Sequence, residues 1–518
     1  MHLVSRVLFV GLLAWQVVFS IIHWSFDLQF PLAIFFFESW DEFQYLPVLH
    51  EYQKALLNSG VLSFLTLRET FGYGDLFWQL YAVLTLPFYF LIEPESSLWL
   101  CCLRFVTLAL QLLTMFMSWR ILGLLGCGDK GRICFSLLLL PMNGLLLLYK
   151  PFSPDYLTAL LMVVAVWVAL RFNKWAIAGF FLCGLAIAVK LYSVFLVPIC
   201  FLLAWKKVPM RLLAFSPLLL LCGFLCANGE LVKTGWDPYA TKLANLSSEV
   251  NAPNYGHAIQ PPGAISYISH WLSNPKGVPY DINTPGISRE YLWWTTIAFG
   301  LYSIWILWRH RRWEALAIST ISWLTFFITI TITNRVWSWY LLTPIILIVI
   351  TMSIAADCLN TPVQRSAVWL ILAIHLGTGF YYTSQKSLSF FKHRTSPEVV
   401  SKLSFYNDCV KPYRTIAQTL PENEVVYQFF VPVFSILHRS SVCFANGPTH
   451  RCFTPQTLMV FLYGPGPEDS KVLAEKFTTV ACSSTGSVYL RNDIPAGHPL
   501  AESLRKAKSL NPIPSRDR

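Results

Sequence analysis

Two acids stand side by side, Asp41 and Glu42, in the stretch FFFESWDEFQYLPVLHEY. Adjacent carboxylates on a helix point roughly a third of a turn apart. One can therefore face a site, accepting a proton or holding a cation, while the other orients it. The plainer reading is a solvated helix start, where acids are favoured by the positive end of the helix dipole. A third acid, Asp155, opens an apolar segment in LYKPFSPDYLTALL, with Lys150 close before it. Helix capping by itself accounts for an acid there. Two separated carboxylates on one side of a membrane can also share the activation of a hydroxyl or the binding of a divalent cation.

Two cations complete the set. Lys190 lies between apolar runs in GLAIAVKLYSVFLVP, and Arg335 precedes an aromatic-rich run in NRVWSWYLLTPIIL. An ionisable side chain at membrane depth is costly and is a functional candidate for that reason. The alternative is a long side chain snorkelling to the interface. Together the two cations predict a pocket for an anion such as a lipid phosphate. His257 and His270 have no partner at metal-ligand spacing and read as ordinary loop residues.

The elements that must position these residues are membrane spans. Of 518 residues, 55% are hydrophobic and only 13% charged, and the mean hydropathy is +0.51. Runs such as YLLTPIILIVITMSIAA approach the ~20 residues needed to cross a hydrocarbon core of ~30 Å. The reading is a polytopic α-helical membrane protein with about eleven transmembrane helices. Predicted spans are Val7–Ile22, Leu98–Trp119, Ile133–Leu148, Tyr156–Leu170, Trp175–Val189, Leu191–Trp205, Leu212–Ala227, Tyr291–Trp308, Glu314–Thr333, Trp337–Ala356 and Ala367–Tyr382. The N-terminus reads as a retained first span and signal anchor, since no small-residue cleavage site follows it.

Charge sets the orientation. Alternate loops hold Arg120, Lys130 and Arg132; Arg171 and Lys174; Lys206, Lys207 and Arg211; and Arg309, Arg311 and Arg312. These loops are cytoplasmic by the positive-inside rule. Lys150, Lys190 and Arg335 then share the opposite, outer face with Asp41 and Glu42. The net charge of +11 is thereby explained by topology, and nothing resembles a nucleic-acid-binding stripe.

Three long outer segments follow from this topology. Residues 26–97 carry the acid pair on an expected amphipathic interfacial helix, with Phe43, Leu46, Leu49, Tyr52 and Leu56 near one face. The apolar segment after Asp75 is expected to be juxtamembrane or re-entrant. Residues 228–290 form a Pro-, Gly- and Asn-rich loop with an NLS sequon at Asn245–Ser247. Residues 384–518 are expected to be a small α/β extracytoplasmic domain following a catalytic membrane domain, 1–383. Cys409, Cys443, Cys452 and Cys482 fall in this tail, and Cys443 and Cys452, which flank FANGPTHR, are the favoured pair.

The order of these motifs resembles the GT-C superfamily of integral-membrane glycosyltransferases. The acid pair after the first span, GYGDLFWQLYAVL, LRFVTLALQLLTMFMSWRILG, SPDYLTALLM, GLAIAVKLYSVFLVP and NRVWSWYLLTPIIL carry the likeness, over about the first 385 residues. The branch it resembles contains aminoarabinose transferases and protein O-mannosyltransferases that use polyprenyl-phosphate sugars. The family's proline-bearing PPLYY signature is replaced here by YGDLFWQL, and its RY..P signature by RVWSWYLLTP. No WWDYG-like motif occurs, so an oligosaccharyltransferase is not expected.

The resemblance implies transfer of a sugar from a polyprenyl-phosphate donor to an acceptor hydroxyl of a lipid, glycan or protein, with inversion. It makes Asp41 the catalytic carboxylate, Glu42 its neighbour and Asp155 the acid of the second outer loop. Lys190 and Arg335, with Arg104 and Lys150, become the donor-phosphate contacts. It leaves open whether a divalent cation, Mg or Mn, is held by Asp41 and Asp155. A lipid-linked donor needs no nucleotide, in keeping with the lack of a phosphate-cradling glycine loop. The short loops favour a bacterial inner membrane with the site facing the periplasm, although a lumenal site in the endoplasmic reticulum has the same sidedness. A lipid or sugar transporter or flippase is the competing reading. It predicts repeat halves with broken helices, and no internal repeat is visible.

Overall fold

The computed structural model describes residues 2–29, 40–67, 74–92, 96–149, 152–205, 207–237, 240–241, 244, 290–332, 342–413, 416, 420, 424–428, 442–443, 456–463, 476–483 and 486–510. The main helices are α1 (His2–Asp27), α2 (Trp40–Lys54), α3 (Asp75–Tyr89), α4 (Ser97–Leu124), α5 (Asp129–Tyr149), α6 (Pro154–Arg171) and α7 (Ala178–Val189). They continue as α8 (Leu196–Trp205), α9 (Ser216–Cys226), α10 (Glu290–Arg309), α11 (Trp313–Ile332), α12 (Leu342–Asp357) and α13 (Pro362–Arg394), with α14 (Ala501–Leu510) near the C-terminus. Two compact units divide the chain.

The first unit comprises residues 1–26, 52–87 and 101–387. Its centre is α12, whose residues Leu342–Ala355 are all buried. A helix apolar on every side belongs inside a bundle, and α12 packs against α5, α6, α10 and α11. Helix α6 is buried almost as completely and packs against α7, α8 and α12. Helices α7 and α8 fold back on each other, bringing Cys183 Sγ within 3.5 Å of Cys200 Sγ. Helix α9 lies along α7, where Gly184 and Gly223 let the backbones meet; a Cβ on Gly184 would strike the Leu220 carbonyl. Small residues serve this purpose between membrane helices.

Among the described residues, three helices are both long and apolar enough to cross a bilayer alone: α1, α4 and α6. Five further apolar helical stretches are shorter, including Lys174–Val189 and Leu191–Trp205. The segment after Asp75 forms α3, a 15-residue helix of about 22 Å at 1.5 Å per residue, short of a full crossing.

The second unit comprises residues 27–51, 88–100 and 388–518. Its five-stranded sheet is formed by β1 (Val425–Gln428), β2 (Val442–Cys443), β3 (Met459–Tyr463), β4 (Phe477–Ser483) and β5 (Gly486–Arg491). The strand order is β2-β1-β3-β5-β4. Strand β1 pairs parallel with β2 and β3, and β5 pairs antiparallel with β3 and β4. Met459, Val460, Val488 and Leu490 are buried in the core, and α14 packs on β4. In the same unit His50 meets the edges of Trp99 and Tyr89.

The structure adds to the sequence reading at two places. The boundary expected at 383/384 falls within α13, a continuous 33-residue helix. Helix α2 does not bury a single apolar stripe. Val48, His50 and Gln53 are buried along with Leu46, Leu49 and Tyr52. The chain then makes a π-helical turn over Ala55–Ser59. The side chains of Cys409, Cys443 and Cys482, and Cys452 entirely, lie outside the described residues, as do His257, His270 and the sequon.

Candidate active site

Helix α6 starts on a well-formed cap. Ser153 has extended backbone (φ −153°, ψ 144°) and Pro154 takes the first helical position, where its missing N–H costs nothing. The Asp155 N–H donates to Ser153 Oγ at 3.3 Å. Since Ser153 satisfies the orphan donor, the Asp155 carboxylate is not needed as a cap. It is used elsewhere. Ser153 Oγ donates to Asp155 Oδ2 at 2.5 Å, and the Tyr192 hydroxyl donates to Oδ1 at 2.9 Å.

The Lys190 ammonium lies 3.7 Å from the same Oδ1. Lys190 stands where α7 ends, with extended backbone (φ −149°, ψ 116°), before a 3-10 turn over Leu191–Phe195 leads into α8. Its N–H closes the last turn of α7 on the Ala186 carbonyl. It thus occupies the tip of the α7–α8 hairpin. The Asp155 side chain is fully buried, whereas that of Lys190 retains 11% exposure. A buried carboxylate needs such donors to remain ionised. The arrangement holds an ammonium group against a buried carboxylate, on a side chain that is itself mostly buried. Chemically that is a buried carboxylate paired with a lysine at a hairpin tip.

A second buried carboxylate lies in the same unit. Asp75, 2% exposed, accepts from the Tyr52 hydroxyl at 2.9 Å and from the Glu230 N–H at 3.1 Å. Its position at the first turn of α3 also suits the helix dipole.

Of the residues expected to form the site, the structure brings Asp155 and Lys190 together. Arg104 is buried on α4, on the helix face that continues through Thr107, Gln111 and Thr114. Asp41 and Glu42 fall in the first turn of α2, with their side chains outside the described residues. Lys150 and Arg335 lie outside them altogether. Ser153, Tyr192 and Asp75 were missed by sequence reasoning. The S-P-D order was a legible cap signal for Ser153. Nothing local marked Tyr192, and Asp75 was read only as the start of an apolar run.

Each Asp155 oxygen accepts one hydrogen bond, which leaves further lone pairs on the carboxylate. Among the described residues no three His, Cys, Asp or Glu side chains gather as a metal site. No step below passes through a metal.

No protein-family model matches the chain, and no curated protein matches it. Solved structures do. The chain is similar to ArnT from Cupriavidus metallidurans, crystallised with undecaprenyl phosphate, at TM-score 0.51 and 15% identity. The likeness covers 92% of this chain and 98% of that one. An apo oligosaccharyltransferase from Archaeoglobus fulgidus matches at TM-score 0.41 and 11% identity, over 84% of this chain and 64% of that one. AglB from the same organism, with an inhibitory peptide and a dolichol-phosphate, matches at 0.40 and 11%, over 95% and 77%. These last two scores are too low to support an argument. The likeness to ArnT is one of fold: the chain shares the helical architecture of that structure. The resemblance read from the motifs is met in three dimensions.

Proposed function

We propose that the chain is a membrane glycosyltransferase that moves a sugar from a polyprenyl-phosphate donor to an acceptor hydroxyl. The observation that carries this reading is the Lys190 ammonium, held 3.7 Å from the buried Asp155 on a side chain that keeps 11% exposure. A preorganised cation of this kind stabilises charge developing on a departing phosphate. ArnT, whose fold the chain shares, binds undecaprenyl phosphate, and the same lipid class is the donor proposed here.

Asp41 accepts the proton of the acceptor hydroxyl as its oxygen attacks the anomeric carbon. The new C–O bond forms opposite the breaking one, so the sugar inverts and the polyprenyl phosphate leaves as an anion. Lys190 and Arg335 meet that anion, with Arg104 and Lys150 as further contacts, and Glu42 orients Asp41. Asp155 acts through Lys190, keeping its ammonium in place. The site faces the periplasmic side of a bacterial inner membrane, opposite the basic loops.

Titration of the purified protein with undecaprenyl phosphate in detergent, read by native mass spectrometry, tests the donor half. Lys190→Ala should weaken binding at least tenfold, in line with loss of a charge-assisted contact worth about 1.5–3 kcal/mol; unchanged affinity would remove the phosphate site. Asp41→Asn should leave lipid binding intact and abolish transfer. Transfer by that variant would remove Asp41 as the base.

A further inference from the structure

The proposed transfer does not use Asp75, yet burying a carboxylate is costly unless its bonds serve the structure around it. Its two described donors come from distant parts of the chain: Tyr52 at the end of α2 and the Glu230 backbone beyond α9. The residues flanking it make close backbone contacts. A Cβ on Gly74 would lie 2.7 Å from the Ala188 carbonyl and 3.0 Å from that of Ala227, so only glycine allows this approach. The Leu76 N–H donates to the Ala227 carbonyl at 3.4 Å.

One and two turns farther along α3, Phe77 and Tyr81 pack on Phe152, with ring centroids 5.4 and 4.7 Å apart. All three rings are fully buried. Gly74, just before α3, therefore meets the chain two residues before Lys190, at Ala188, and α3 itself meets Phe152, three residues before Asp155. The Gly74–α3 segment thus reaches the chain next to each half of the ion pair.

We infer that α3, locked at its first turn by Asp75, sets the spacing of Lys190 and Asp155, and that Asp75 is a positioning residue for the lipid-phosphate site. The inference rests on the proposed function for its ligand and on contacts within one unit for its geometry. Asp75→Asn keeps an oxygen for Tyr52 but turns an NH2 donor toward the Glu230 N–H, donor against donor. Tyr52→Phe removes the other bond with little change in shape.

The test measures affinity for undecaprenyl phosphate and for undecaprenol, beside the acylation rate of the Lys190 amine read by peptide mass spectrometry. Both variants should weaken phosphate binding by about three- to tenfold, leave undecaprenol binding unchanged and alter the Lys190 acylation rate. A lower unfolding temperature with Lys190 reactivity and phosphate affinity both unchanged would make Asp75 a purely structural residue and overturn the inference. An altered Lys190 rate, with phosphate affinity insensitive even to Lys190→Ala, would keep the brace and discard the lipid-phosphate role of the site. If Asp75→Asn does not fold, Tyr52→Phe carries the same test.

Discussion

At one end of α6 the Lys190 ammonium lies 3.7 Å from a fully buried carboxylate. At the other, the Lys207 ammonium donates to the Ala169 and Leu170 carbonyls at 3.1 and 2.8 Å. Both lysines come from the segment that forms the α7–α8 hairpin and leaves it. The Lys207 contact answers an ordinary need, since the last carbonyls of a helix lack partners and carry the negative end of its dipole. Burial lowers the Lys207 pKa, and the charge of Glu314 offsets part of that effect. The Asp155 end has no such need, because Ser153 already caps the helix. There the chain holds a full ion pair where a neutral cap suffices. Buried ion pairs seldom stabilise a fold more than well-packed apolar residues do. The comparison separates a lysine that finishes a helix from one paired with a buried carboxylate.

The largest effect that sharpens this contrast is expected from Lys190→Ala. It strands the Asp155 charge and should lower unfolding free energy by about 3–5 kcal/mol, as well as weakening lipid binding. Adding Asp155→Ala should recover most of that stability but none of the lipid affinity, as read by thermal unfolding and lipid titration on the same samples. Recovery of affinity in the double variant would break the contrast. Tyr192→Phe comes next, losing one bond to a charged group worth about 1.5–3 kcal/mol. Lipid affinity should fall less than with Lys190→Ala.

Ser153→Ala should cost about 1 kcal/mol as a lost cap, together with the bond to Asp155 Oδ2. The smallest effect is expected from Lys207→Ala, about 0.3–1 kcal/mol of stability with lipid affinity untouched. A fall in affinity with Lys207→Ala comparable to that of Lys190→Ala would mean that the two ends do the same work.

Much of the helical framework was legible because apolar runs are a direct consequence of bilayer thickness. Among the described residues, several predicted spans lie within longer helices, as Val7–Ile22 lies within His2–Asp27. The extension has a simple cause: polar residues at helix ends carry no hydropathy signal but keep their backbone bonds. The same reason explains α13. No proline or glycine interrupts residues 383–394, so the helix runs beyond Tyr382 until the Thr-Ser-Pro at 395–397. The burial along α2 was only partly legible. The sequence shows Leu46, Leu49 and Tyr52 on one face but not that polar His50 and Gln53 are buried too.

The site divides in the same way. Lys190 and Asp155 were singled out because charge amid apolar sequence is rare and costly. Their contact was not derivable, nor was the part played by Tyr192, which meets Asp155 from 37 residues away. Asp75 shows the limit most clearly, since its bond to the Glu230 N–H spans 155 residues and nothing near it in sequence announces a partner.

By itself, the sequence determined that this is a membrane protein, where its apolar helices run, which loops are basic, and which few charged residues need a reason to be there. Hydropathy and charge act on each segment separately, so they can be read locally. Only the tertiary structure decided that Ser153 frees Asp155 from capping, that a hairpin tip brings Lys190 to it, and that Gly74 lets α3 reach the chain behind that lysine. Those are contacts between backbones and side chains far apart in sequence, fixed by close packing that no local pattern encodes.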